Sequence, residues 1–254
     1  MDAHASAEGI NRAFYDKAYG ASTLLQILVK HCVSYDQLSK TRRNLRLARL
    51  IPDFSTALSV LDYGFGHGTL LFRMPPRHRV SGVELSEAAR QNAAKLAGFL
   101  RRPTMLHSPD GLESAPADLV FDLICCSHVL EHVPDDVRLL RQFHARLRPR
   151  GHLLINLPIN EVWDDPNHVR RYSAETAARA LEANGFRVEQ IVEADALSGW
   201  LLLRDQQSRA PARYALRAMR MMLALLPVVV LDRLESILLQ QHEPQQLLIL
   251  AQKV

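Results

Sequence analysis

The feature that most constrains this chain is the run Val60-Leu61-Asp62-Tyr63-Gly64-Phe65-Gly66-His67-Gly68-Thr69. An apolar strand closes on an acid and opens into glycines at alternate positions. Without a Cβ, glycine reaches backbone conformations closed to other residues and leaves room for a ligand against the main chain. The helix that follows turns its unpaired N–H groups back toward whatever is bound. In an open α/β sheet such a turn lies at the carboxyl ends of the strands, where the strand order reverses.

The remaining patterning agrees with that class. Residues 1–55 read as helices. Residues 56–195 alternate short apolar strands with helical stretches, which predicts a parallel sheet with helices on both faces. Strands are expected at 58–63, 79–84, 104–107, 121–127 and 151–157, with a further one at 186–193 and a last at 247–251. Residues 196–244 read as helical. A hydrophobic content of 48% with 23% charged residues suits a globular domain. The net charge of +4 names no partner, because distribution matters more than the sum. Of the three cysteines, Cys125 and Cys126 are strand neighbours pointing to opposite faces, a poor metal pair. Unpaired thiols predict a cytoplasmic setting. Met1 to Asn11 lacks the basic-then-apolar pattern of a secretion signal. Met221 to Leu231, interrupted by Pro227, falls short of the ~20 residues that span a bilayer.

The glycine run resembles the Asp/Glu-x-Gly-x-Gly-x-Gly signature of class I, Rossmann-like S-adenosylmethionine-dependent methyltransferases. Phe121-Asp122, the strand after it, and Leu130-Glu131-His132-Val133-Pro134-Asp135 are similar to a stretch of many small-molecule members. Leu147-Arg148-Pro149-Arg150-Gly151 resembles the family's Leu-x-Pro-Gly-Gly, with Arg150 replacing the first glycine. The resemblance covers roughly residues 55–195 and 245–254. It implies a seven-stranded doubly wound sheet, an antiparallel final strand and S-adenosylmethionine as cofactor. Four segments are then expected: an N-terminal helical lid (1–55), the α/β core (56–195), a helical insert (196–244) and the final core strand (245–254). Nicotinamide enzymes instead place glycine at the sixth position of their loop, where this chain has Thr69.

The implied cofactor residues are Asp62, Gly64, Gly66, Gly68, Glu84, Leu85, Asp110 and Ser127. Glu84 ends the second strand about 20 residues beyond the loop, where an acid holds ribose hydroxyls. Leu85 is placed to pack on adenine. Asp110, in a Pro-Asp-Gly sequence that equally reads as a plain turn, is the candidate for the adenine amino group. Ser127 closes the fourth strand.

Methyl transfer from a sulfonium is an in-line displacement, so alignment supplies much of the rate. A protonated acceptor also needs a base, and histidine titrates in the right range. Among the 11 histidines, His128 and His168 are the catalytic candidates. His132 is read as ordering its loop, and Asp164 and Asp165 as solvated acids. No metal-ligand set is evident. Tyr15 and Tyr19 are candidates for a lid over the cofactor or for ordinary helix packing.

Arg209, Arg213, Arg217 and Arg220 would share a helical face, beside the apolar run and Leu234, Ile237, Leu238 and Leu239. Residues 204–239 therefore suggest peripheral contact with the inner membrane surface, the wall of an apolar pocket, docking of an acidic carrier protein, or packing in a homodimer. The basic stretch Lys40 to Leu50 lacks the interleaved aromatics of a nucleic-acid surface, and no nucleic acid is expected. The expected activity is O-methylation of a small, apolar metabolite. A sugar or carrier-bound acceptor, or a non-catalytic cofactor-binding subunit, are the alternatives.

Overall fold

A computed structural model describes residues 16–17, 19–20, 22–161, 165–238 and 242–254. Tyr15, Asp164 and Leu239 lie outside the described residues.

Two helices, α1 (Leu24–Val33) and α2 (Tyr35–Ala48), precede the sheet. The core then runs β1 (Ser59–Tyr63), α3 (Thr69–Arg73), β2 (Arg79–Val83), α4 (Glu87–Phe99), β3 (Thr104–His107) and α5 (Pro109–Glu113). It continues through β4 (Phe121–Ser127), α6 (Asp136–Arg146), β5 (Leu147–Pro158), α7 (Ala174–Ala183) and β6 (Phe186–Ala194). Helices α8 (Ala196–Gln207), α9 (Ala212–Leu223) and α10 (Val228–Leu238) lie between β6 and the last strand, β7 (Gln246–Lys253). The seven strands are ordered β3-β2-β1-β4-β5-β7-β6. All neighbouring pairs are parallel except those of β7, which is antiparallel to β5 and β6. The order reverses between β1 and β4, so the glycine turn after β1 opens at the switch point.

Alternation along the strands builds two apolar layers. Val60, Val80, Leu123, Cys125 and Leu154 face one layer, packed under Leu71 and Leu96. Leu61, Val83, Ile124, Cys126 and Ile155 face the other, under Leu140, Phe143 and Leu181. Cys125 and Cys126 thus point to opposite faces as expected, and both are free thiols. Short polar side chains start the helices by accepting otherwise unpaired N–H groups. Ser86 caps α4, Asp135 caps α6, and Ser173 pairs with Thr176 in a capping box on α7.

Two local expectations need correction. Strand β5 starts at Leu147, four residues before the expected 151, and Arg150 sits within it at φ 62°. The side chain standing where the resembled pattern has glycine therefore adopts the backbone that glycine favours. Arg209 precedes α9, so the four arginines do not form one helical stripe. Arg213 donates to the Ser208 carbonyl, Arg217 lies 3.7 Å from Asp205, and Arg220 turns inward to Asp36. Met221, Met222, Leu225 and Val229 are exposed, whereas Ala224 and Leu231 are buried against Tyr35 and Leu38 of α2. No described helix is long and apolar enough to cross a membrane.

Arg43 of α2, 5% exposed, ties this region to the core. Its guanidinium contacts Asp232, lies 2.9 Å from Glu235 and 3.9 Å from Asp195, and its Nε donates to Ser39 at 3.4 Å. Ser39 donates in turn to Asp195, and the Asp195 N–H donates to Glu235. Burial pushes the Asp195 and Glu235 carboxyls upward, while Arg43 opposes that shift. Removing one member of a buried charge network strands the others, at a cost of about 3–5 kcal/mol. Arg43→Met should therefore lower thermal stability by an amount of that order in a melt followed by circular dichroism. An unchanged melting temperature would show that the network does not hold α10 to α2.

Candidate functional site

The loop after β1 is held from two directions. Gly64, Gly66 and Gly68 have φ values of 75°, 52° and 73°, where residues with a Cβ are strained. A Cβ on Gly64 would lie 2.2 Å from Val129 Cγ2, and one on Gly66 would lie 2.6 Å from the Tyr19 hydroxyl. Gly68 packs on Phe72 at the start of α3, behind the loop. The Glu84 carboxylate accepts the Gly66 N–H at 2.8 Å and the Ser86 N–H at 3.0 Å. Burial pushes Glu84 upward, and these backbone bonds work against that shift.

Two cavities meet along this loop. One, close to 540 Å³, is bounded by Gly64, Glu84, Leu85, Asp110, Val129 and Val133. Asp110 belongs to the short helix α5, which Ser108 caps, so the Pro-Asp-Gly sequence is a helix start rather than an isolated turn. The second cavity, close to 440 Å³, takes in Asp62, Gly66, His67 and Ser127 and extends toward α2. Of the expected cofactor residues, all but Gly68 line one or both cavities. Tyr19 borders both and sets its ring edge-on to His67 at 4.8 Å.

The donor and acceptor inventory suits S-adenosylmethionine. Asp62 is 2% exposed, and its Oδ2 has no partner among the described residues. Burial and the nearby Glu84 carboxylate push the Asp62 carboxyl up to about 7. A buried acceptor without a donor is costly, and a ligand ammonium would satisfy it. The positive-φ glycines let Val129 and Tyr19 close tightly on the loop, which brings the cleft wall against its main chain.

His128 lines both cavities, at φ 56°, a rare backbone for a side chain of its size. Its Nδ1 lies 3.2 Å from Glu131 Oε1, and its Nε2 lies 2.7 Å from the Gln246 side chain. Burial and then the nearby Lys40 charge pull His128 downward, and the Glu131 contact opposes this. His168 lines only the second cavity. Its Nδ1 lies 2.7 Å from Glu161 Oε2, and its ring meets His132 edge-on at 4.7 Å. His132 Nδ1 lies 3.1 Å from the Asn167 carbonyl. The two expected catalytic histidines thus share a wall, each beside its own glutamate.

Glu131, His132 and His168 bring one ligand atom each within 4.8 Å of one another, a set that could accept a divalent cation. The sequence alone did not show this grouping. Sequence reasoning missed it because His168 comes from the loop after β5. It also missed the far wall of the second cavity, where Gln37, Lys40, Thr41 and Asn44 project from α2 and Gln245 and Gln246 lead into β7. The signal was present: 37, 40, 41 and 44 recur at helical spacing on one face.

Two outcomes follow from this geometry. Gly64→Ala forces a Cβ against the branched, short Val129 at a positive φ, which costs about 1–2 kcal/mol before any clash is counted. It should weaken S-adenosylhomocysteine binding at least tenfold by calorimetric titration, and unchanged affinity would contradict the close approach. Asp62 governs the second. Below pH 7 its carboxyl is protonated in the free protein, and an ammonium favours the ionised form. Affinity should therefore fall as pH drops from 7.5 to 6, by at most tenfold per unit, and Asp62→Asn should flatten that dependence.

Comparison with known proteins agrees with this arrangement. The profile of a methyltransferase domain matches residues 38–191. The chain is 34% identical over 157 residues to a trans-aconitate 2-methyltransferase of Azoarcus sp., covering 58% of this chain and 56% of that one. It is 31% identical over 101 residues to a ubiquinone biosynthesis O-methyltransferase of Marinobacter nauticus, covering 38% and 42%. The chain therefore spans about half the length of these curated relatives. In structure it resembles the 1,6-didemethyltoxoflavin-N1-methyltransferase of Burkholderia thailandensis, solved with its substrate and S-adenosylhomocysteine. That match has a TM-score of 0.62 at 15% identity and covers 100% of this chain and 92% of that one. The chain belongs to the class I S-adenosylmethionine-dependent methyltransferase family.

Proposed function

We propose that this chain transfers a methyl group from S-adenosylmethionine to an oxygen of a small, polar acceptor. The observation that carries the reading is the position of His128, where the cavity of the glycine loop and Glu84 meets the cavity faced by α2. When bound, S-adenosylmethionine supplies an electrophilic methyl and a good leaving group. The chain supplies alignment. Glu84 and the glycine loop fix one end of the ligand cleft, and Asp62 offers its buried oxygen beside them.

For a hydroxyl acceptor, His128 receives the proton. Burial keeps its imidazole neutral, and the Glu131 carboxylate beside Nδ1 orients the ring and stabilises the cation formed. The Gln246 amide now faces Nε2, and the acceptor hydroxyl would take that place. His168, held against Glu161, forms part of the acceptor wall.

The composition of that wall favours a polar acceptor over the apolar one expected from residues 196–244. Lys40, Asn44, His168, Glu161 and Gln245 line it, and the exposed Met221, Met222 and Leu225 do not. The names of the relatives agree with oxygen as the acceptor atom, trans-aconitate being a polycarboxylate and the ubiquinone enzyme an O-methyltransferase.

The test uses methyl-labelled S-adenosylmethionine with wild-type protein and His128→Gln. Loss of a proton acceptor should lower kcat by about 10²–10⁴, with S-adenosylhomocysteine affinity within twofold. Equal turnover in both proteins would remove His128 as base. Cofactor binding without transfer to any acceptor would favour a non-catalytic cofactor-binding subunit.

A further inference from the structure

Helix α2 buries polar side chains along a face where an amphipathic helix would bury apolar ones. Thr41 and Asn44 are 3% and 1% exposed, and both line the acceptor cavity together with the half-buried Lys40. Asn44 Oδ1 has no hydrogen-bond partner among the described residues. Buried amides are almost always paired, so the side chain of Asn44 is arranged for something that enters the cavity.

Charge balance identifies what enters. Asp62 lies at the glycine-loop end of this cavity, where it is assigned to the ammonium of the cofactor, and the other carboxylates of this wall are already engaged. Asp36, one turn before Lys40, is taken by Arg220 of α9. Glu161 lies against His168, Glu131 against His128, and Asp165 accepts the Asn167 N–H at 2.9 Å. Asp195 belongs to the Arg43 network. Lys40 has neither ion pair nor hydrogen bond among the described residues. Burial of its ammonium is opposed only by the more distant fields of Asp36, Asp195 and Glu131.

We propose that Lys40 and Asn44 hold a carboxylate of the acceptor, so that the substrates are small hydroxy acids or polycarboxylates. The assignment rests on the methyltransferase reading given above and adds the recognition group. Lys40 donates to the carboxylate as a charge-assisted pair, and Asn44 adds a donor when its amide is turned with the NH2 toward the cavity, the orientation that leaves no acceptor facing the carboxylate. The gripped group is not the reacting oxygen, because an ammonium on the nucleophile would draw off the electron density that attacks the methyl. The acceptor therefore carries a second oxygen, which reaches His128 while the first is anchored on α2.

Two matched pairs of probes test this, each keeping a hydroxyl acceptor in both members: 2-hydroxysuccinate against its dimethyl ester, and 3,4-dihydroxybenzoate against catechol. Turnover is followed with labelled S-adenosylmethionine. Binding is followed by calorimetry on protein saturated with S-adenosylhomocysteine. The carboxylate member of at least one pair should be preferred at least tenfold in kcat/KM. Lys40→Gln should raise its KM roughly 10- to 100-fold, the range for a lost hydrogen bond to a charged group. In that variant the loss on the carboxylate probe should exceed that on catechol or the ester at least tenfold, and S-adenosylhomocysteine affinity should stay within threefold. Lys40→Arg should recover part of the loss. Turnover without carboxylate preference, or a Lys40→Gln loss shared equally by neutral probes, would overturn the assignment and leave the methyltransferase reading standing. With no turnover, carboxylate binding that Lys40→Gln weakens would support the assignment alone, and binding indifferent to it would overturn the assignment.

Discussion

The site depends on one carboxylate. Glu84 ends β2 and receives N–H groups from Gly66, in the loop after the neighbouring strand, and from Ser86, at the start of its own helix. These two bonds fasten the ends of β1 and β2 together, beside the β1–β4 boundary where the sheet order reverses. The close approach is two-sided: a Cβ on Gly82, opposite Asp62 in the register, would lie 2.5 Å from the Phe65 ring. Burying an acid is unfavourable, and here backbone donors offset that cost. With the loop fixed, Asp62 is sealed beneath it and Gly64 is pressed to within contact of Val129. Both effects come from the same fastening, so the loop is a rigid floor that a ligand meets already formed.

What was legible in the sequence was local. Strand alternation, the alternate glycines and Glu84 at the end of the next strand all lie within short stretches of chain, and each has a direct steric or hydrogen-bonding meaning. The antiparallel last strand was legible through the family resemblance. What was not legible needs distant segments to meet. The glutamates beside the two histidines are one such case: Glu131 sits in a motif read as loop-ordering, and Glu161 follows β5 by a path no periodicity encodes. The α2 wall is another. The spacing of Gln37, Lys40, Thr41 and Asn44 was visible, but a polar stripe on an amphipathic helix is normally its solvent face. The packing of α8–α10 against α2 turned it inward.

The arginines of residues 196–244 show how a correct period can mislead. Three of them do occupy α9, yet Arg220 faces Asp36, and so the apparent solvent stripe contains an internal ion pair. A helical wheel ranks side chains by angle alone. It cannot register that a carboxylate on another helix removes one of them from the surface.

That diversion bears on the chemistry of α2. The helix carries two polar systems a few residues apart: Arg43 facing Asp195, Asp232 and Glu235, and Lys40 facing the cavity. Asp195, whose field reaches Lys40, is drawn into the buried cluster of Arg43 with Asp232 and Glu235, and Arg220 takes Asp36, the acid a helical turn from Lys40. Arginine suits this task because its planar fork engages several carboxylates at once, which an ammonium does less well. Helices α9 and α10 therefore contribute to the cavity without lining it at Lys40: their charged residues decide which cation on α2 is left uncompensated. An unpaired, partly buried ammonium lowers stability, and the Arg43 network, a turn away on the same helix, holds α2 in place while that cost is borne.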